Sequence, residues 1–292
     1  MPAKSSLKEN DKQLILKLYQ EGYGAPYIAN KLGIATHKIS YFVKKSGISR
    51  TPSEAARKYS FDENFFKEID TEEKAYWLGF MYADGYASSR KYGKCVGLTL
   101  SSKDKKHLMK FVECLHSNIP IHDYISSTTY GNAKYSKVVL CSDTMYRNAV
   151  KQGIVEHKTN ILTPPIISKK FIPHFIRGYF DGDGCLTSFM KKHHPNRPGK
   201  HCEYAVKILG TKPLLDFIKD FIEDNKIAKI NQYYRRKEEQ IVLSLELSGN
   251  NQVKNFLDLI YEKATVYLDR KYERYQNLCN LINSRVTPKG VA

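Results

Sequence analysis

The stretch Phe175–Ser188, "FIRGYFDGDGCLTS", begins like an amphipathic helix and ends in glycines and aspartates. A stretch of the same character lies at residues 75–88, "AYWLGFMYADGYAS". Aligning the two stretches places Gly79 on Gly178, and the acidic ends of the two motifs also coincide. Self-similarity of this kind predicts two structural repeats, one after the other in the chain.

The runs that follow each motif come in one order: two strands, a helix, two strands and a helix. After the first motif the later runs are "CVGLTLSS", "KDKKHLMKFVECLHS", "HDYISSTT", "KYSKVVLCS" and a helix from Asp143. After the second they are "HCEYAVKILG", "KPLLDFIKDFIEDN", "AKINQYYRRK", "QIVLSLELS" and "NNQVKNFLDLIYEK". The sequence therefore predicts an α+β fold of two tandem αββαββα repeats, 61–165 and 166–292, forming a pseudo-twofold saddle of two antiparallel sheets.

Small residues four apart share one face of a helix and let two helix backbones touch. Such pairs occur in both motifs, as Gly79 with Ala83 and as Gly178 with Gly182. If the two motif helices pack through these faces, Asp84 and Asp183 meet at the same end of the pair.

Two carboxylates at helix C-termini are unfavourable without a cation, because the helix dipole is negative there. Oxygen ligands with no nearby His or Cys cluster favour Mg²⁺ over zinc. The simpler interpretation is that Gly85 and Gly184 only cap helices and that the acids are solvated. The occurrence of the same pattern in two copies favours a functional metal site.

The overall charge points to a polyanionic partner. Lys and Arg number 47 against 30 Asp and Glu, which gives a net charge of +17 distributed along the 292 residues. Such an excess, with 21 Tyr and 13 Phe, favours nucleic acid. The chain has no run long enough to span a membrane and no signal peptide in "MPAKSSLKENDK", so we expect an intracellular protein that is not secreted.

The cysteines indicate neither a zinc ribbon nor a disulfide framework. They are scattered and form no CxxC pair. We expect all six to be reduced thiols, at Cys95, Cys114, Cys141, Cys185, Cys202 and Cys279.

Residues 1–60 are predicted to form a small helix-turn-helix module and a linker. Gly33 is expected to end the second helix, and Thr36 to cap the third. The outward residues of that third helix would contact DNA in the major groove, and they are His37, Lys38, Ser40, Tyr41, Lys44 and Lys45. Any three-helix packing module would show a similar periodicity, so the alternative of a purely structural module stays open.

The two motifs, "WLGFMYADG" and "IRGYFDGDG", resemble the paired motif of the LAGLIDADG homing endonucleases in their single-chain, two-repeat form. The resemblance extends over about residues 65 to 285 in element order. The segments "GIVEHKTNILTPP" and "ATVYLDRKYERYQNL" resemble those that close the repeats of the family. Tyr82 departs from the motif, which usually has a non-metal acid there, whereas Asp181 keeps that acid.

The resemblance implies a monomeric, Mg²⁺-dependent endonuclease that makes a staggered double-strand break across the minor groove of DNA. Asp84 and Asp183, with backbone carbonyls such as those of Ala83 and Gly182, would hold the metal. By position in the family, Lys158 and Lys263 would orient water or stabilise the transition state. Simple phosphate contacts are the alternative role of these lysines.

Sheets are suited to reading DNA because strand residues and base pairs repeat at nearly the same distance. Two different repeats then predict a long, asymmetric target. Basic loop residues are expected to contact phosphates, namely Lys191, Lys192, Arg197 and Lys200 in "KKHHPNRPGKH" and Arg235, Arg236 and Lys237. The histidines of this loop lack the partners of a zinc site or a His-based nuclease.

Three alternatives stay open at this point. The chain could assist intron RNA folding as a maturase, in which case the acids would be dispensable. It could be a transcription regulator that binds DNA without cutting it. An endonuclease domain cut from an intein fits less well, and we expect a free-standing enzyme.

Overall fold

The structure is a computed structural model that describes residues 7–20, 23–49, 59–90, 93–129, 131–156, 158–191, 201–234 and 241–286. The chain divides into two compact units between Tyr59 and Ser60. No helix in these described ranges is long and apolar enough to cross a membrane.

The N-terminal unit contains helices α1 (Glu9–Gln20), α2 (Ala25–Leu32) and α3 (Thr36–Lys45). They enclose a small apolar core built around Ile15, Ile28, Ile39 and Val43. Gly33 ends α2 with φ 64°, a left-handed conformation that glycine adopts without strain. The prediction that Thr36 caps α3 is wrong: the helix already begins at Thr36, and Ala35 occupies the cap position without a side-chain hydrogen bond.

The first repeat follows the predicted element order. Its elements are α4 (Glu72–Ala83), β1 (Gly85–Arg90), β2 (Gly93–Ser101), α5 (Lys105–Cys114), β3 (His122–Thr128), β4 (Gly131–Cys141) and α6 (Asp143–Lys151). The strands form one antiparallel sheet in the order β1-β2-β4-β3. Leu98 and Val138 are register partners on its buried face, so the sheet packs one side against the core.

The second repeat differs from the prediction at two places. Its elements are α7 (Ile172–Asp183), β5 (Gly184–Lys191), β6 (His201–Gly210), α8 (Lys212–Asp224), β7 (Leu243–Ser248), α9 (Asn250–Tyr261) and α10 (Asp269–Val286). The strand expected in "AKINQYYRRK" is present, within the described residues, only as an isolated bridge between Tyr234 and Ser244. A further helix, α10, follows the predicted last element. The described sheet is antiparallel with the order β5-β6-β7.

One cysteine pair contradicts the expectation of reduced thiols. Cys95 and Cys141 form a disulfide between β2 and β4. They are register partners on these neighbouring strands, which brings their side chains to the same face of the sheet. Scattered sequence spacing gave no hint of this pairing. The other four cysteines remain thiols, as expected.

A single apolar core joins the two repeats. It includes residues of α4 and α7, of both sheets and of the helices that cover them. The two motif helices are hydrophobic on several sides, and Trp77 and Phe180 are almost completely buried. The pair α4 and α7 therefore lies in the interior, and its C-terminal ends carry Asp84 and Asp183, the two predicted metal ligands.

Candidate active site

Helices α4 and α7 pack with their backbones in contact, as the glycine spacing predicts. A Cβ atom on Gly79 would lie 2.0 Å from the carbonyl oxygen of Phe175. A Cβ atom on Gly178 would lie 1.9 Å from the carbonyl oxygen of Tyr76. Only residues without a side chain fit at these two points, so the glycines set the distance between the helices.

The seam places Asp84 and Asp183 together at its end. Asp84 is the C-cap of α4, and Asp183 is the last residue of α7. A Cβ atom on Gly182 would lie 3.2 Å from Asp84 Oδ2, so the carboxylate of the first repeat reaches the terminus of the second motif helix. Both aspartates keep a solvent-exposed side. A ligand can therefore approach both carboxylates from the outside.

The surroundings of the two acids favour their protonated forms. Partial burial raises the pKa of Asp183 to about 6, and the negative charge of Asp84 adds to this effect. Burial likewise raises the pKa of Asp84. The ammonium groups of Lys158 and Lys271 act in the opposite direction on both pKa values. Two crowded carboxylates with raised pKa values gain from a divalent cation between them.

Two lysines flank the acids in equivalent ways. Lys158 Nζ donates a hydrogen bond to the carbonyl of Gly85, directly after Asp84. Lys271 Nζ donates to the carbonyl of Gly184, directly after Asp183, at 2.5 Å, and also to the carbonyl of Phe180. The two repeats thus hold one lysine each on corresponding backbone oxygens. Burial lowers the pKa of Lys271 to about 8 and also lowers that of Lys158.

Solved structures share this arrangement of repeats. The LAGLIDADG meganuclease I-CpaMI bound to uncleaved DNA superposes with a TM-score of 0.51 at 11% sequence identity, covering 74% of this chain and 93% of that one. A lysine-to-alanine mutant of I-SmaMI superposes with a TM-score of 0.50 at 13% identity, covering 73% and 92%. This chain has the LAGLIDADG homing endonuclease fold. No protein-family model matches the sequence, and no curated protein matches it significantly.

Within this LAGLIDADG fold, the role suggested for Lys263 beside the aspartates stays a prediction. Lys263 is exposed just after α9, in a left-handed backbone conformation with φ 59°. Its charge is not among those that shift the pKa of Asp183. Lys271, only 3% exposed, occupies the place beside the acids instead. Aligning Val155 with Val266 in the closing segments places Asp269 opposite Lys158, so a two-residue offset conceals Lys271 in the sequence.

The predicted DNA contacts fall partly within the described residues. On α3, Lys38 is half-buried, and the other candidates His37, Ser40, Tyr41, Lys44 and Lys45 are exposed. Lys191 is exposed at the end of β5 and forms an ion pair with Glu203 at 3.1 Å. The remaining candidates lie outside the described residues, and they are Lys192, Arg197, Lys200, Arg235, Arg236 and Lys237.

The donor set at the LAGLIDADG seam fits a hard divalent cation. The described part of the chain contains no group of three or more His, Cys, Asp or Glu side chains placed to hold a metal. Two carboxylates beside solvent suit Mg²⁺, which usually keeps several waters and binds through one or two carboxylates and substrate phosphates. The carbonyls of Ala83 and Gly182 belong to the same helix ends and are the predicted additional ligands.

Proposed function

We propose that this chain is a site-specific endonuclease that cuts both strands of double-stranded DNA and leaves staggered ends. The observation that carries the proposal is the pair Asp84 and Asp183 at the helix seam, with one lysine of each repeat beside it. I-CpaMI, a solved protein of the same fold with bound DNA, is a meganuclease, which supports this assignment. A protein that only binds nucleic acid would not need acids with raised pKa values at this place.

The chemistry follows from the charges of these side chains. Asp84 and Asp183 would bind Mg²⁺, which supplies Lewis-acid stabilisation of the phosphate and a more acidic water. Lys158 and Lys271 present ammonium groups at the edge of the acids. From there they stabilise the negative charge that develops on phosphate oxygens and orient the attacking water through hydrogen bonds.

The sheets would position the DNA over this centre. Tyr124, Tyr135 and Lys137 lie on the face of the first sheet opposite its buried residues, and the two tyrosine rings stack at 5.6 Å. On the corresponding face of the second sheet, Lys207 pairs with Glu246 at 2.6 Å. Side chains of these types contact base edges and phosphates in the major groove. Because the two faces differ, we expect an asymmetric target read by a monomer.

The N-terminal unit, about residues 1–60, would add DNA contacts through α3. Its exposed face carries His37, Tyr41 and Lys44. Lysine on such a helix commonly contacts phosphates, and an exposed Tyr or His also reaches base edges. The two repeats, about 61–165 and 166–292, would supply the catalytic centre and most of the specificity.

The direct test is cleavage of a library of long duplexes in the presence of Mg²⁺, with sequencing of the cut ends. We expect one target to be enriched, with staggered breaks on its two strands. Asp183→Asn should abolish cleavage and leave binding of that target intact. Asp224→Asn is the matched control, because Asp224 also ends a helix but is exposed elsewhere on the second repeat, and its cleavage should equal wild type. Binding without cleavage by the wild-type protein would favour a regulator instead.

A further inference from the structure

Each motif carries a buried polar residue two positions before its site aspartate. These are Tyr82 in the first repeat and Asp181 in the second, and the repeat alignment places them on each other. Tyr82 is 2% exposed and Asp181 is fully buried, so neither contacts a solvent-borne ligand directly. Their hydrogen bonds instead lead to the segments that carry Lys158 and Lys271.

Asp181 fixes the beginning of α10. Its Oδ2 accepts hydrogen bonds from the amide of Leu268 and the hydroxyl of Tyr76, both at 2.8 Å, and its Oδ1 accepts one from the hydroxyl of Tyr261 at 2.5 Å. The carbonyl of Leu268 accepts the amide of Lys271 at 3.0 Å. Leu268 therefore connects the Asp181 carboxylate to the first turn of α10, the helix that bears Lys271.

Tyr82 fixes the end of α6. Its hydroxyl donates to the carbonyl of Gln152 at 2.7 Å, and a Cβ atom on Gly153 would lie 2.1 Å from that hydroxyl oxygen. The chain then runs from Gln152 to Lys158, and on the way Glu156 accepts a hydrogen bond from the amide of Ser89 in β1. The tyrosine thus holds the segment that delivers Lys158 to the site.

The different side chains at the two positions follow from the helix ends that they meet. The end of a helix presents carbonyls without partners, whereas its beginning presents amides without partners. At the end of α6 the motif helix therefore needs a donor, which Tyr82 supplies. At the beginning of α10 it needs an acceptor, which Asp181 supplies.

We propose that Tyr82 and Asp181 are positioning residues, each of which places the lysine of its own repeat beside the site aspartates. This inference rests on the proposed nuclease function for its activity readout. It assigns one role to two chemically unlike residues. Tyr82 stands where the motif usually has an acid. At this position a hydrogen-bond donor therefore replaces an acceptor, and the positioning of the lysine is kept.

Double-mutant cycles test the proposal in the active protein. Asp181→Asn is combined with Lys271→Met, and Tyr82→Phe with Lys158→Met, and kcat and KM are measured on the selected duplex. Each positioning variant should lower kcat roughly 10- to 100-fold with little change in KM. Each double variant should cleave no more slowly than its lysine variant alone, because the positioning residue acts through that lysine. Additive losses would overturn the proposal.

A second readout needs neither metal nor activity. An amine-reactive reagent labels the metal-free protein, and mass spectrometry follows the modification of each lysine. Asp181→Asn should accelerate labelling of Lys271 selectively, by about tenfold, and Tyr82→Phe should do the same for Lys158.

The control for general destabilisation is Ile222→Ala, a fully buried residue of α8, which packs on β6 and β7. Equal acceleration in this control, or no selective effect in the two positioning variants, would overturn the proposal. If the wild-type protein cleaves no duplex, the nuclease function fails, whereas the labelling result still decides the positioning role.

Discussion

At the scale of single residues, Asp183 couples folding to pH. Its pKa is raised to about 6 by burial and by Asp84, above the ordinary value near 3.8 that it has when unfolded. Ionisation of this carboxyl therefore destabilises the metal-free fold above about pH 6 and has no such effect below about pH 4. We expect Asp183→Asn to raise the melting temperature of the metal-free protein at pH 7, and this gain to disappear as the pH falls through 6 towards 4.

Thermal unfolding in a chelating buffer at several pH values measures this effect. With Mg²⁺ at pH 7, the wild-type protein should have the higher melting temperature, because the cation stabilises its ionised pair of aspartates and the variant has one ligand fewer. Asp224→Asn serves again as the control. An equal gain at pH 4 and pH 7 would contradict the assignment of the effect to the Asp183 charge.

Residue identities at the seam could be predicted from sequence, whereas their partners could not. The four-residue spacing of Gly79 and Ala83 already places Asp84 at the end of a helix face. Lys271 was missed because it follows Val266 by five residues, whereas Lys158 follows Val155 by three, so the local alignment of the closing segments does not pair the two lysines. The roles of Tyr82 and Asp181 depend on backbone groups far away in the chain, and sequence spacing contains no information about those contacts.

At the scale of elements, the contact between α4 and α7 sets a narrow limit on side-chain size. Gly79→Ala would place a methyl group 2.0 Å from the carbonyl oxygen of Phe175, and that backbone atom cannot move aside alone. We expect a loss of at least about 3 kcal/mol in the free energy of unfolding. Urea denaturation of the purified variant measures it.

Gly210→Ala is a suitable comparison for this prediction. The nearest atoms to a Cβ there are side-chain ends of Tyr179 and Leu215, at 3.1 and 3.3 Å. These side chains shift by a few tenths of an ångström, so the loss should be clearly smaller. Equal stability of the Gly79 variant and wild type would show that the helices do not pack through this face.

Elements with strong hydrophobic patterns were predictable, and elements that depend on distant partners were less so. Strands β2 and β4 alternate or run apolar over their length, and helices α8 and α9 repeat at helical spacing. The segment before and including Tyr234 contains the strand-forming residues Ile230, Tyr233 and Tyr234, but the described part of it makes a single bridge, to Ser244. The disulfide of Cys95 and Cys141 follows from strand register, which spacing along the chain does not reveal.

At the scale of the whole molecule, the two compact units allow their contributions to be separated. Residues 60–292 contain their own core, so a chain lacking residues 1–59 should fold and cleave. Its affinity for the target should depend less steeply on salt. The slope of log K against log salt should fall by about 0.9 for each phosphate that the shortened chain leaves without a basic partner.

Binding titrations between about 50 and 200 mM salt give this slope for both chains. Lys44→Ala in the full chain removes a single basic side chain of the N-terminal unit. It should reduce the slope by about 0.9, the value for roughly one phosphate contact. An unchanged slope in the shortened chain would mean that the N-terminal unit binds no phosphates. The net charge of +17 predicted a nucleic-acid partner, but charge alone does not distribute DNA binding between the units.

The crossed glycine contacts restrict how hybrid proteins can be assembled from this chain. Gly79 packs against the backbone of Phe175, and Gly178 packs against the backbone of Tyr76. Each half therefore supplies one glycine and one backbone carbonyl that contacts the glycine of the other half. If one half is combined with the half of another protein, the matching helix of that protein must also have a glycine at the contact. Hybrids of this chain must therefore keep α4 and α7 together as a matched pair of helices, and only the strands of the two sheets can be varied independently.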